Sequence, residues 1–294
     1  MKYRITHTTR YKYGGKVPIG YNRVYLTPRT CSGQECLRSQ LAVEPVPAVF
    51  GQRSRDFYGN EVVFFTVQEP HDVLEITARS EVRLNPVLTI DPASAAPWEE
   101  ALRLVRESKD PDTHDALQFT YPAETVAVSS ALRDYARESF TPGAPVLKAA
   151  AHLMTRIFKE FAYDPNATTV TTPVEEILEK RRGVCQDFAH LQIGCLRALG
   201  LPARYVSGYV APKHADSGAA YVGAQASHAW LSLFTPGAGW VDLDPTNNCL
   251  PSVEHITVAW GRNYDEVSPV RGVILGGGAQ HLAVEVDVTR IAEL

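Results

Sequence analysis

The stretch Arg181-Arg182-Gly183-Val184-Cys185-Gln186-Asp187-Phe188-Ala189-His190-Leu191 runs from a glycine turn into a long apolar helix with a cysteine in its first turn. At about 100° per residue, Cys185 shares an apolar arc with Phe188, Ala189, Leu191, Cys195, Leu196 and Leu199. Gln186, Asp187, His190 and Arg197 fall on the other side, and solvent or loop contacts are expected for Asp187 and His190. Gln192 intrudes on the apolar arc and needs a buried partner. Gly200, followed by Leu201-Pro202, supplies the stop. The thiol therefore points inward, at the helix end whose unpaired N–H groups and dipole favour a thiolate. A buried cysteine is by itself most often a small core residue. The reading turns on whether the chain supplies a base.

Two later strands supply one. In Ser227-His228-Ala229-Trp230-Leu231-Ser232-Leu233-Phe234 the period of two puts His228, Trp230 and Ser232 on one face. Gly239-Trp240-Val241-Asp242-Leu243-Asp244-Pro245-Thr246 is a second strand ending in an acid at a proline turn. Taken singly, His228 reads as a structural histidine and Asp244 as a turn-initiating aspartate. Together with a helix-start cysteine they fill three roles in the order Cys, His, Asp. A thiol needs a base to reach useful thiolate levels, and the base needs a third group to hold its ring and tautomer. Asp242 lies on the same strand face as Asp244 and competes for that third role; Asp244 is preferred. A thiolate, an imidazole and a carboxylate are also a zinc donor set, but the helix-start thiol fits nucleophilic catalysis better, and no metal ligand is assigned.

Outward from this centre, residues 1–86 read as β. Tyr3–Tyr11, Asn22–Leu26, Leu37–Val43, Phe57–Phe65 (bending at Gly59-Asn60) and Val73–Leu84 carry strand composition and alternation, which together predict an antiparallel sandwich. Residues 87–125 are proline-punctuated and form a helical linker, with one short helix around Trp98 to Glu107. Residues 126–294 form the second unit: helices at Ser129–Glu138 and Val146–Phe161, a helix start at Thr172-Pro173, the Cys185 helix, then strands. Lys213 to Gly223 is a loop of small and charged residues expected to be mobile. Gly276-Gly277-Gly278 is a turn before a final strand, His281–Thr289, and lacks the strand-to-helix context of a phosphate cradle. The fold class is α+β.

At 294 residues, 45% hydrophobic and 21% charged, the chain can bury a core without metal or disulfide staples. A net charge of −4 gives no electrostatic case for nucleic acid or an anionic membrane as partner. The N-terminus lacks an apolar signal core, and the cysteines at 31, 36, 185, 195 and 249 have no framework spacing. Both point to a soluble cytoplasmic protein. Cys31 and Cys36 have no second pair at zinc spacing and read as loop residues.

The blocks Gly183–His190, Ser227–Trp230 and Gly239–Thr246 resemble those of the bacterial transglutaminase-like superfamily, whose core is a papain-like cysteine-hydrolase fold. Phe161-Ala162-Tyr163, Arg204–Tyr209, Gly261-Arg262-Asn263-Tyr264 and Val270–Val273 are similar to that family too. Residues 1–86 resemble the N-terminal domain that precedes this core in bacterial members. Asn263 departs from the family, standing where many members carry an acid. The resemblance implies a helix bearing Cys185 packed on an antiparallel sheet, with Cys185 as nucleophile, His228 as general base and then acid, and Asp244 as orienting carboxylate. The Cys185 backbone N–H is one oxyanion donor, and Gln186 or a residue near Tyr163 is a candidate for the second. Trp230 and Tyr209 are candidates for the cleft wall, with a core role the alternative. The expected activity is amide hydrolysis through a thioester, with transfer to an amine, or peptide binding without catalysis, as alternatives. Arylamine N-acetyltransferases share the Cys-His-Asp order but match the surrounding blocks less well. No cofactor is expected; the partner is a peptide or protein amide, and self-association is expected, if anywhere, through the N-terminal β unit.

Overall fold

The computed structural model describes residues 1–86, 91–212, 221–223 and 226–292. Seven strands open the chain: β1 (Lys2–Val17), β2 (Ile19–Val24), β3 (Gln34–Glu44), β4 (Val49–Phe50), β5 (Ser54–Arg55), β6 (Glu61–Val67) and β7 (His71–Leu84). β7 shows why they stack. Its alternate residues Leu74, Ile76, Ala78, Ser80, Val82 and Leu84 are buried, so one pleat face must meet a second sheet. Helices follow: α1 (Trp98–Glu107), α2 (Pro111–Ala116), α3 (Ser130–Arg137) and α4 (Val146–Glu160). Next come β8 (Ala162–Tyr163), α5 (Val174–Lys180), β9 (Arg182–Gly183) and α6 (Cys185–Ala198). The chain then runs through β10 (Ala203–Val210), β11 (His228–Thr235), β12 (Gly239–Leu243), β13 (His255–Gly261), α7 (Tyr264–Val267), β14 (Val270–Leu275) and β15 (Gln280–Ile291). Among the described residues no helix is long and apolar enough to cross a membrane.

The first two sheets, in strand order β15-β1-β7-β3 and β14-β2-β6-β4, form the expected antiparallel sandwich. Its last two strands were expected elsewhere. Residues 270–291, read from sequence as part of the second unit, return to the first: β14 pairs with β2, and β15 follows β1 from Lys2↔Ile291 to Tyr13↔Gln280. Gly276, Gly277 and Gly278, all at positive φ, make the turn between them. Residues 87–90 of the linker and 213–220 of the loop expected to be mobile lie outside the described residues.

The third sheet, β12-β11-β10-β13, carries α6 on one face. That helix also meets α3, α4 and α5, so it is covered on all sides. Gln186, Asp187, His190 and Arg197 are therefore buried, although solvent or loop contacts were expected for Asp187 and His190, and all four must find partners inside. Arg197 donates to the carbonyls of Phe119, Ala203 and Arg262. His190 Nε2 accepts from the Tyr264 backbone N–H at 3.1 Å, and burial holds its imidazole down at about 3. The intruding Gln192 donates to the Ala150 carbonyl at 2.9 Å.

The sandwich and the unit built on the third sheet share one core, in which Tyr3, Ile5, Val82 and Leu84 join Tyr205, Tyr209 and Ile256. Two buried side-chain amides seal the outer edge of β13 as a neighbouring strand would. Gln34 donates to the Thr257 carbonyl at 2.7 Å and accepts from its N–H at 2.8 Å. Asn60 does the same for Trp260, at 2.8 and 2.9 Å. Edge groups that would otherwise need water or a partner are thus satisfied within the chain.

Candidate active site

Cys185 is the first residue of α6, and the turn before it is built by close approach. A Cβ at Gly183 would stand 2.6 Å from Asp187 Oδ2 and 2.9 Å from Asp187 Cβ. That space lets Asp187 Oδ2 accept from the Val184 N–H at 2.8 Å and the Thr168 hydroxyl at 2.6 Å. Asp187 therefore caps the helix and ties down the preceding loop. The backbone N–H of Cys185, at the helix start, has no acceptor one turn back. Cys185 as a whole residue is partly exposed.

His228 opens β11 with its ring inside the protein. Its Nε2 meets Asp244 Oδ2 at 2.8 Å. Its Nδ1 has no hydrogen-bond partner among the described residues, and the Cys185 thiol lies beside the ring. Burial alone pulls the imidazole pKa down, but the Asp244 carboxylate, and then the thiol, outweigh it and carry it up to about 10. Asp244 sits just past the end of β12 with no exposure. Burial opposes its charge, yet His228 and His255 hold its carboxyl well below the usual carboxylate range. The two oxygens of this aspartate have different partners. Oδ1 accepts from the N–H groups of Thr246 and Asn247, at 3.0 and 3.2 Å, as a turn aspartate does. Oδ2 faces the histidine.

The competitor is spent elsewhere. Asp242 accepts from Trp230 Nε1 at 3.0 Å and from the Ser232 hydroxyl. It also faces the buried Arg204, whose guanidinium lies 4.2 Å from the Trp240 ring and 3.7 Å from that of Trp260. The three candidates for substrate contact do not form a cleft wall. Trp230 is fully enclosed, and Tyr209 is buried with its hydroxyl on His7 Nδ1 at 3.0 Å, facing the sandwich. Gln186 donates its side-chain amide to the Val170 carbonyl at 3.1 Å. Tyr163, an aromatic residue near Cys185, keeps part of its surface exposed, and desolvation together with the neighbouring Cys185 and Asp187 pushes its phenol up to about 12. Asn263 caps α7, accepting from the Glu266 N–H at 3.4 Å and donating to Thr125 Oγ1 at 3.2 Å.

The profile of the bacterial transglutaminase-like N-terminal region matches residues 3–83, and that of the transglutaminase-like superfamily matches residues 133–245. An uncharacterized protein of Mycobacterium tuberculosis is 40% identical over 296 residues, covering 98% of this chain and 92% of its own. The chain belongs to the transglutaminase-like superfamily. A second relative within reach of this superfamily member is a protein-glutamine gamma-glutamyltransferase of Pseudomonas aeruginosa. It is 31% identical over 157 residues, which span 52% of this chain and 23% of that protein. A crystal structure from Cytophaga hutchinsonii, assigned provisionally as a cysteine protease, superposes with a TM-score of 0.76 at 20% identity. It covers all of this chain and 92% of its own, and so shares the fold.

Two residues at the site escaped the sequence reading. His255, at the start of β13, places Nε2 3.0 Å from the same Asp244 Oδ2. Asn247 donates to that oxygen at 2.7 Å and brackets Val222, accepting from its N–H at 2.9 Å. Asn247 follows Asp244 by one turn and was legible in principle; His255 comes from a strand with no motif around it. His228, Asp244 and His255 bring three ligand-type atoms within 4.8 Å of one another. A metal-bound histidine normally donates its other ring N–H to fix the tautomer. Neither His228 Nδ1 nor His255 Nδ1 has such a partner among the described residues, so the donor set fits a hydrogen-bonded network better than a metal site.

Proposed function

We propose that this superfamily member is a cysteine-dependent amide hydrolase acting through a thioester. Cys185 is the nucleophile, His228 the base and then the acid, and Asp244 the orienting group. The observation that carries the reading is the division of the His228 ring: Nε2 on Asp244 at 2.8 Å, Nδ1 without a hydrogen-bond partner among the described residues, and the Cys185 thiol beside the ring. With Nε2 held by a carboxylate, Nδ1 is the nitrogen left to exchange a proton with sulfur. The thiolate attacks an amide carbonyl, the oxyanion forms at the α6 N-terminus, and the imidazolium protonates the leaving amine. Water then resolves the thioester. Resolution by an amine is the alternative favoured by the likeness to the Pseudomonas gamma-glutamyltransferase.

The test is brief alkylation with low-dose iodoacetamide at neutral pH, read by mass spectrometry, in wild type and His228→Ala. Fast labelling of Cys185 over Cys31, Cys36, Cys195 and Cys249, lost in the variant, is expected. Peptide amides are then supplied with and without added amine. Free acid as the product in both supports the hydrolase, and a new amide formed in preference establishes the transferase. If Cys185 reacts no faster than the other cysteines, catalysis is excluded as the reading and peptide binding takes its place.

A further inference from the structure

We propose that His255 is a positioning residue for this site, acting on His228 through the Asp244 carboxylate; the inference rests on the nucleophile reading above. Three donors converge on Asp244 Oδ2: His228 Nε2 at 2.8 Å, His255 Nε2 at 3.0 Å and Asn247 Nδ2 at 2.7 Å. Two backbone N–H groups hold Oδ1. A carboxylate offers about four lone-pair sites, so this one is saturated and cannot turn without breaking bonds on both oxygens. His255 is the member of the set that comes from outside the Asp244 turn and outside β11. It therefore fixes the carboxylate from a third direction.

The ring of His255 is itself held. It is buried, packs edge-on to Trp230 at 5.3 Å and to Tyr221 at 5.5 Å, and Trp230 is anchored by Asp242. Its strand is registered on β10 through Val210↔His255 on one side. On the other it is clamped by Gln34 and Asn60 of the sandwich. The N-terminal unit thus reaches the triad through β13. A histidine buried only for packing has no need to spend its ring nitrogen on the oxygen that orients the base.

The experiment compares Cys185 alkylation rates at neutral pH in the full chain as wild type, His228→Ala, His255→Leu and His255→Gln, with the thermal midpoint of each. Leucine fills the space without a donor, and glutamine restores an N–H near the position of Nε2. The expected result is a rate about tenfold lower in His255→Leu, the scale of one lost hydrogen bond to a charged group, and most of it regained in His255→Gln. If leucine prevents folding, His255→Asn replaces it, because the shorter amide falls short of Oδ2 and must lose what glutamine keeps. A wild-type rate in the variant without a donor, while His228→Ala has lost its rate, overturns the proposal and leaves the nucleophile reading standing. Equal loss in the glutamine variant also overturns it, since packing alone would then explain the effect. A wild-type Cys185 no faster than the other cysteines overturns the underlying reading instead.

Discussion

Asp244 divides its two carboxylate oxygens between a turn and a pair of histidines. Its Oδ1 holds the backbone of Thr246 and Asn247, which fixes the carboxylate plane, and Oδ2 is then aimed at two histidines. The charge coupling to His228 has a pH signature. His228 is raised from 6.5 to about 10, so its contribution to stability is complete below pH 6.5 and is lost as pH rises through 10. Asp244 is held below its ordinary 3.8, so its contribution is complete above that pH and is lost as pH falls beneath it. The thermal midpoint of wild type should exceed that of Asp244→Asn most between about pH 4 and 6.5, and the gap should narrow toward pH 10. A gap that stays constant up to pH 10 would mean that His228 carries no extra proton on account of Asp244.

At the level of elements, the site depends on how closely β10 lets its neighbours approach. A Cβ at Gly208 would stand 2.1 Å from the Ile256 carbonyl oxygen on β13 and 2.5 Å from the Trp230 indole on β11. Neither neighbour can yield, because one is backbone and the other is locked to Asp242. Gly208→Ala should cost about 1–3 kcal/mol in denaturant titration. It should also slow Cys185 alkylation, because Ile256 adjoins His255. Unchanged stability would show that the strands separate freely there. The same paired strands explain why Asp244, and not Asp242, meets the histidine. Ser232↔Asp242 are register partners across β11 and β12, which leaves the residue beyond Leu243 to reach back to the start of β11.

At the scale of the whole molecule, the N-terminal sandwich closes the outer edge of the sheet that carries His228 and His255. Asn60 and Gln34 stand in for a missing fifth strand, and Arg29 lies over the Trp260 ring at 3.5 Å. Asn60→Ala leaves the Trp260 N–H and carbonyl without these bonds at a partly buried edge. The expected loss is about 2 kcal/mol or more, seen as a fall of several degrees in thermal midpoint. A midpoint within a degree or so of wild type (on the order of the effect of a neutral surface change) would mean that the edge is adequately served by water.

From sequence alone one could read the helix that starts at Cys185 and stops at Gly200, the β-rich opening, the strand carrying His228 and the acid at the proline turn. These are local matters: periodicity, turn residues and caps record which side chains share a face of one element. What packs on that face is not local. The polar side of α6 is buried because β10, the start of α7 and the segments at Phe119, Thr168 and Val170 lie against it, which no wheel can show. Tyr209 faces His7, and not the site, because the sandwich docks on that side of β10. The last two strands return to β1 and β2, and His255 reaches Asp244, through sheet pairings between residues far apart in the chain. Register and docking depend on the combined burial of many side chains from separate segments, so only the folded chain decides them.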